Sequence, residues 1–212
     1  MTNILAPVPD GSRLFDCLVP PDLAGMQALK SAGYEGCTLY AETAAQRHVD
    51  WAMQAGLGLM FVGECRHNSG WEPTGAMGSA DANAVVGRLR RLNIVPGLTV
   101  TCDVEGTGDY AQGTIDYCNA WHDVMALAGF DPQLYVGAWI RLNAEELYHA
   151  LKFTGYWRAG SIEPEVAVRG YRMRQIPPLD RTVCGWRIDV SDANADHLGG
   201  RANWMIAAPD VA

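Results

Sequence analysis

A chain of 212 residues with 49% hydrophobic and 19% charged side chains is long and apolar enough to bury a core, which excludes disorder as its main state. Its formal charge of −8 argues against a phosphate-binding face, so no nucleic-acid partner is expected. Residues 1–131 hold fifteen acids and seven bases and residues 132–212 nine of each, so the acidity belongs to the first part of the chain.

Residues 1–12 show neither the basic start nor the apolar run of a secretion signal, and no window reaches the roughly 18 apolar residues of a membrane span. They read as an N-terminal extension, and the chain as one made in the cytoplasm. From residue 13 short apolar runs alternate with stretches of helical spacing, the pattern of βα units. The runs are 13–18 (RLFDCL), 34–41 (YEGCTLYA), 57–64 (LGLMFVGE), 98–105 (LTVTCDVE) and 133–139 (QLYVGAW).

The first helix carries Leu23, Met26 and Leu29, and the second Ala45, Val49, Ala52 and Met53 behind a T-x-x-Q capping box from Thr43 to Gln46. The third aligns Ala82, Val85, Val86, Leu89 and Leu92, with Arg88, Arg90 and Arg91 forming a solvated helix end. The fourth aligns Ile115, Cys118, Trp121 and Met125; the fifth opens at an N-x-x-E box, Asn143 to Glu146, and runs through Leu147 and Leu151. After Gly155 three strand runs, 156–160, 171–176 and 183–190, are separated by segments too short or too Pro-rich for packed helices. Five βα units and three nearly bare strands predict a single α/β domain over 1–212, a TIM-barrel-like fold smaller than the usual ~250 residues. An open doubly wound sheet ranks second, because no glycine-rich phosphate loop follows the first strand.

Reactive groups of such a barrel come from the C-terminal strand ends, and here those ends carry acids: Asp16, Glu42, Glu64, Asp103, Glu105 and Asp189. Asp103 and Glu105 are two apart, so they share one side of a strand with Cα atoms roughly 6.6 Å apart. Repulsion and burial would separate their protonation states, giving an acid beside a carboxylate, as glycosidic cleavage requires. Asp16 lies between Phe15 and Cys17, where an acid without a purpose would be costly. Glu42, Asp22 and Asp109 sit at helix starts and suit caps or arginine partners.

Tyr40, Tyr135, Trp139, Trp157 and Trp186 fall near the same ends, with Trp71 in the loop from His67 to Gly78. Flat rings suit the apolar face of a sugar, so Tyr40, Tyr135, Trp71 and Trp157 join Asp16, Asp189, Glu64 and Gln175 as candidate substrate-binding residues. Trp51 and Trp121, on helix faces, read as core. No H-E-x-x-H zinc site and no G-x-S-x-G elbow is present, and no metal or cofactor is expected. The six cysteines lack metal spacing and read as buried thiols; Cys17, Cys65 and Cys102 each adjoin a mouth-facing acid and should point away from it.

Three motifs carry a resemblance: F-D-C at Phe15 to Cys17 with P-x-x-x-x-M-Q after it, C-D-V-E at Cys102 to Glu105, and I-D-V at Ile188 to Val190. The chain resembles glycoside-hydrolase-like TIM-barrel domains, long catalogued as a domain of unknown function, that are related to the glycoside hydrolase family 25 lysozymes. The resemblance implies cleavage of the β-1,4 bonds of peptidoglycan, with Glu105 as general acid and Asp103 steadying the developing oxocarbenium and its N-acetyl group. Asp16 and Asp189 would line the same pocket, and the polysaccharide would be the partner. It also implies a phage lysin acting at the cell wall. Cys-Leu-Val-Pro-Pro replaces the serine- and glutamine-containing turn usual after the first aspartate, which places the chain nearer the uncharacterised group. The alternative reading is a catalytically silent glycan-binding or structural barrel.

Overall fold

A computed structural model describes residues 3–64, 70–137 and 140–208, the side chain of Glu64 excepted. Along the chain run β1 (Asn3–Pro7), β2 (Ser12–Asp16), α1 (Leu23–Ser31), β3 (Gly36–Tyr40), α2 (Gln46–Gln54), β4 (Gly58–Glu64), α3 (Gly75–Arg91), β5 (Thr99–Val104), α4 (Ala111–Leu127) and β6 (Asp131–Val136). Then come α5 (Glu146–Ala150), one turn of π-helix, and β7 (Tyr156–Arg158), β8 (Met173–Gln175), β9 (Arg181–Val183), β10 (Trp186–Ala193) and β11 (Asn203–Ala207). Strands β2 through β8 pair in parallel in chain order, and β10 closes the ring between β8 and β2. The result is the expected eight-stranded TIM-barrel-like α/β fold, with one reversal. Strand β10 runs antiparallel to both neighbours.

At the ends the structure adds one element and corrects one expectation. Residues 3–7 of the N-terminal extension form a strand, β1, which pairs antiparallel with β11 from Asn3 opposite Ala207 to Pro7 opposite Asn203. The run 183–190 is not one strand: Cys184 and Gly185, at φ 51° and 84°, form a left-handed turn between β9 and β10. Cys184 is therefore exposed, whereas Cys17, Cys37, Cys102 and Cys118 are buried as expected. Cys65 and Trp139 lie outside the described residues.

Local chemistry sets the helix starts. Asp22 caps α1 by accepting the Gly25 N–H at 2.8 Å, Thr74 caps α3 through Met77, and the Asn143–Glu146 box is closed by hydrogen bonds in both directions. The expected Thr43–Gln46 box is absent. Thr43 turns its hydroxyl toward the Tyr40 and Leu18 carbonyls, and His48 Nδ1 accepts the Ala45 N–H instead. Nor is the α3 end wholly solvated, since Arg88 reaches Glu42 at 2.6 Å. No helix among the described residues is long and apolar enough to cross a membrane.

The core has two parts. One lies between strands and helices, where Phe15, Leu39, Phe61, Val85, Leu89 and Trp121 pack, while Trp51 is only half-buried. The other fills the barrel with Leu14, Met60, Val62, Trp157, Met173 and Trp204. Trp204, on β11, closes the end opposite the strand termini by lying across Gly36 and Gly58; a Cβ on Gly58 would come within 2.2 Å of its ring. Gly58→Ala is expected to cost about 1–3 kcal/mol in urea unfolding. Gly87→Ala, in mid-α3 with its nearest neighbour at 3.7 Å, should instead stabilise by about 0.5–1 kcal/mol. Equal effects at the two positions would refute the account of Trp204 as a tightly seated plug.

Candidate active site

Each parallel strand delivers its last residues to one mouth of the barrel. Asp16 ends β2, Asp103 lies one residue before the end of β5, and Glu105 follows just beyond it. Asp189 arrives differently. It was expected at the C-terminal end of a parallel strand, but β10 is reversed, so the residue lies in the first half of its strand, with its Cα in register with Asp16. The reversal brings it to the expected mouth by the opposite direction of travel.

Two adjoining clefts open there and share Leu18, Tyr40 and Asp189. The central one, about 250 Å³, is walled by Asp103, Glu105, Tyr135, Trp157 and Gln175. The outer one, about 460 Å³, is walled by Asp16, Trp186, Ile188 and the β9–β10 hairpin residue Arg187. Arg187 is held by Asp180 at 2.8 Å. Sequence reasoning did not assign Leu18 and Val19 to the cleft, and placed Trp186 near these strand ends without making it a substrate contact; the signal available for the first two was an apolar Leu-Val pair directly after an acidic strand end. The first two are 65% and 71% exposed beside it.

Asp16 is 3% exposed and faces Asp189 across the sheet, an unfavourable like-charge pair in register. Burial first, and then the Asp189 charge, push its carboxyl up to about 7, against the opposing pull of Gln175 and the Tyr40 hydroxyl. Asp16 thus holds its proton until near-neutral pH. Tyr40 and Tyr135 are pushed strongly upward, chiefly by burial and then by the surrounding carboxylates, Asp16 and Asp103 leading for Tyr40, Glu105 and Asp103 for Tyr135. Both remain neutral hydroxyls, and both feel the charges of Asp16, Asp103 and Asp189. The four acids therefore converge electrostatically on one space.

The aromatic and amide candidates divide. Tyr40 and Tyr135 are half-buried cleft walls. Trp157 is 2% exposed, donates its Nε1–H to Ser191 at 3.0 Å and packs edge-on against Tyr135, so it is a floor and not an open sugar platform. Trp71 donates its Nε1–H to the Glu105 carbonyl at 2.8 Å and packs against Tyr117, so it steadies the backbone of Glu105. Gln175 is buried among protein partners. Glu64 ends β4 in register with Asp103, and its side chain is outside the described residues. Of the helix-start acids, Glu42 has its arginine, Asp22 is a cap, and Asp109 sits 3.6 Å from Arg141. Cys17 and Cys102 pack into the layer between strands and helices, and burial followed by the Asp16 charge pushes the Cys17 thiol up to about 12, which suits packing rather than nucleophilic attack.

Gly137, just past β6, completes the wall. A Cβ there would lie 2.3 Å from the Tyr135 ring and 2.7 Å from Glu105 Oε1, so only glycine lets these two side chains close against the β6 end.

The same architecture recurs in solved structures. The Tat-secreted protein Rv2525c of Mycobacterium tuberculosis, in complex with L-tartrate, matches with a TM-score of 0.62 at 14% identity, over 86% of this chain and 95% of that one. The modular autolysin LytC from Streptococcus pneumoniae matches at 0.55 and 13%, over 85% of this chain and 46% of that one. The catalytic domain of endolysin ply40, from bacteriophage P40 of Listeria monocytogenes, matches at 0.53 and 12%, over 87% and 93%. At these identities the likeness is one of fold. No curated protein matches by sequence. Residues 27–160, however, match a family profile and span α1 through β7, including Asp103 and Glu105. The chain belongs to the Rv2525c-like, glycoside hydrolase-like domain family.

Proposed function

We propose that this chain is a glycosidase that cleaves β-1,4 bonds in the glycan strand of peptidoglycan, with Glu105 as general acid and Asp103 as its partner carboxylate. The observation that carries the reading is the convergence of Asp16, Asp103, Glu105 and Asp189 on clefts walled by Tyr40 and Tyr135. Exposure separates their roles. Asp16 and Asp103 are 3% and 8% exposed, and Asp189 Oδ1 is occupied by the Asp180 N–H at 2.6 Å. Glu105 is half-buried just past the end of β5, where it lines the central cleft and can reach a bound glycosidic oxygen.

In the reaction, the Glu105 carboxyl gives its proton to the leaving oxygen as the C1–O bond breaks. Asp103 stabilises the positive charge developing on the ring, and water then adds to C1 and returns a proton to Glu105. The neighbour LytC has been solved with a synthetic peptidoglycan ligand, and the Cpl-1 endolysin with a tetrasaccharide-pentapeptide analogue, which favours this substrate class. The test is incubation with purified peptidoglycan, assay of new reducing ends and mass spectrometry of the soluble fragments. Muramic acid at the new reducing ends supports the reading. Intact peptidoglycan would overturn it and favour a glycan-binding barrel.

Gly137→Ala is expected to lower kcat/KM by about a hundredfold, because a displacement of about 1 Å at a catalytic group has that scale of effect. Urea unfolding of the same variant should change far less, since the crowded groups lie at the open mouth. An unaltered kcat/KM would show that the Glu105 position tolerates the methyl group.

A further inference from the structure

Residues 176–180, which join β8 to β9, read I-P-P-L-D. Just past β8 the Ile176 N–H donates to the Val190 carbonyl at 2.7 Å, and the two prolines that follow have no N–H with which to continue that ladder. The segment leaves the sheet with carbonyls that need donors from outside the backbone. One side chain supplies them. Arg181, the first residue of β9, donates from Nε to the Pro178 carbonyl at 2.8 Å and from Nη2 to the Ile176 and Pro177 carbonyls at 2.5 and 2.6 Å. A planar guanidinium with its fixed fork of donors can gather three consecutive carbonyls at once; the compact ammonium of lysine has no such fork.

The gathered segment carries two residues to the mouth. Leu179 walls the central cleft and lies against Gly160, where a Cβ would come within 2.7 Å of its Cδ2. Asp180, at φ 55°, walls the outer cleft, donates its N–H to Asp189 Oδ1 at 2.6 Å and pairs with Arg187 at 2.8 Å. Consecutive residues of one loop thus face the two clefts, and Asp189, which the loop holds, belongs to both. Arg181 itself walls neither cleft; its backbone is fixed in β9, in register with Ile188 of β10.

We propose that Arg181 is a positioning residue for the mouth: by gathering the 176–178 carbonyls it sets Leu179 as a wall of the central cleft and the Asp180 N–H on Asp189, and so governs how firmly a glycan is held. The ligand rests on reading the mouth as a glycan site, whereas the clamp does not, and two measurements separate them. Hydrogen exchange followed by nitrogen-15 NMR reads the Asp180 amide directly. Arg181→Ala should speed its exchange about tenfold or more and Arg181→Lys by less, while the amides of β5 keep their protection. With soluble peptidoglycan fragments as the probe, Arg181→Ala should raise KM, or Kd measured with Glu105→Gln also present, about tenfold. The rate constant kcat should fall by no more than about threefold, because a binding wall is loosened and the proton donor is not touched. Leu179→Ala should reproduce the weaker binding with the Asp180 amide still protected.

An Asp180 amide as protected in Arg181→Ala as in wild type overturns the clamp. Faster exchange that extends equally to β5 overturns it too, since Arg181 would then serve only the fold. An unaltered Kd beside a freely exchanging Asp180 amide overturns the role in holding the glycan. Should Arg181→Ala not fold, Arg181→Lys decides on the same two readouts. Fragments that fail to bind wild type would reject the glycan reading of the mouth, and the Asp180 exchange would still support or overturn the clamp.

Discussion

Glu105→Gln is expected to reduce the rate of reducing-end release from peptidoglycan by about a hundred- to ten-thousand-fold while leaving the fold intact. The lower bound is what a positioned proton donor contributes to a transition state, and the upper bound applies when the leaving group depends on it wholly. Glutamine keeps the shape that fits against Gly137 and leaves the Trp71 bond to the Glu105 carbonyl untouched, because that bond is to the backbone. Binding of soluble glycan fragments should therefore persist, and unfolding free energy should stay within about 0.5 kcal/mol of wild type. Comparable release by wild type and variant would sink the assignment and move attention to Asp16, the mouth carboxyl that keeps its proton to about pH 7. A parallel loss of binding would instead mean that Glu105 holds the substrate rather than protonating it.

The parts of this site legible in the sequence are those in which local pattern and final geometry coincide. Apolar runs ending in acid predicted both the strands β2 and β5 and the placement of Asp16, Asp103 and Glu105, because parallel strands deliver their ends to one mouth. Asp189 was placed correctly for a mistaken reason. A strand's direction is not written in its side-chain alternation, and the turn that reverses β10 is built on Cys184-Gly185, where cysteine is not a residue that signals left-handed backbone. Strands β1 and β11 were missed because each is recognisable only by the other, some two hundred residues away. The Gln175 arrangement was hidden for a related reason, since the partners of its amide oxygen lie 40 and 15 residues away. Trp157 and Trp71 show the limit of residue type as a guide: tryptophan near a strand end fits a sugar platform, a buried floor or a backbone clamp, and only the hydrogen bond of the indole N–H separates these.

Asp16→Asn should make the protein more stable at pH 8 and not at pH 4. A carboxyl raised from its ordinary 3.8 to about 7 binds its proton more tightly in the folded chain than in the unfolded one. Folding is thus undisturbed by Asp16 at low pH, and stability is lost progressively as pH rises from about 3.8 through about 7. The accumulated penalty above that window is about 4 kcal/mol, a large fraction of a typical domain's stability. Asparagine keeps the size of the side chain, carries no charge beside Asp189, and should escape the penalty. Urea unfolding of both proteins from pH 4 to pH 9 measures it: the stability gap between variant and wild type should widen in favour of the variant through pH 5 to 7 and then level off. Parallel curves would mean that Asp16 ionises at an ordinary pH and stores no proton for the chemistry at the mouth. Because the gain appears only where the charge is forced on the buried pair, a widening gap would show that this barrel sacrifices stability to keep two carboxyls opposed at its open end.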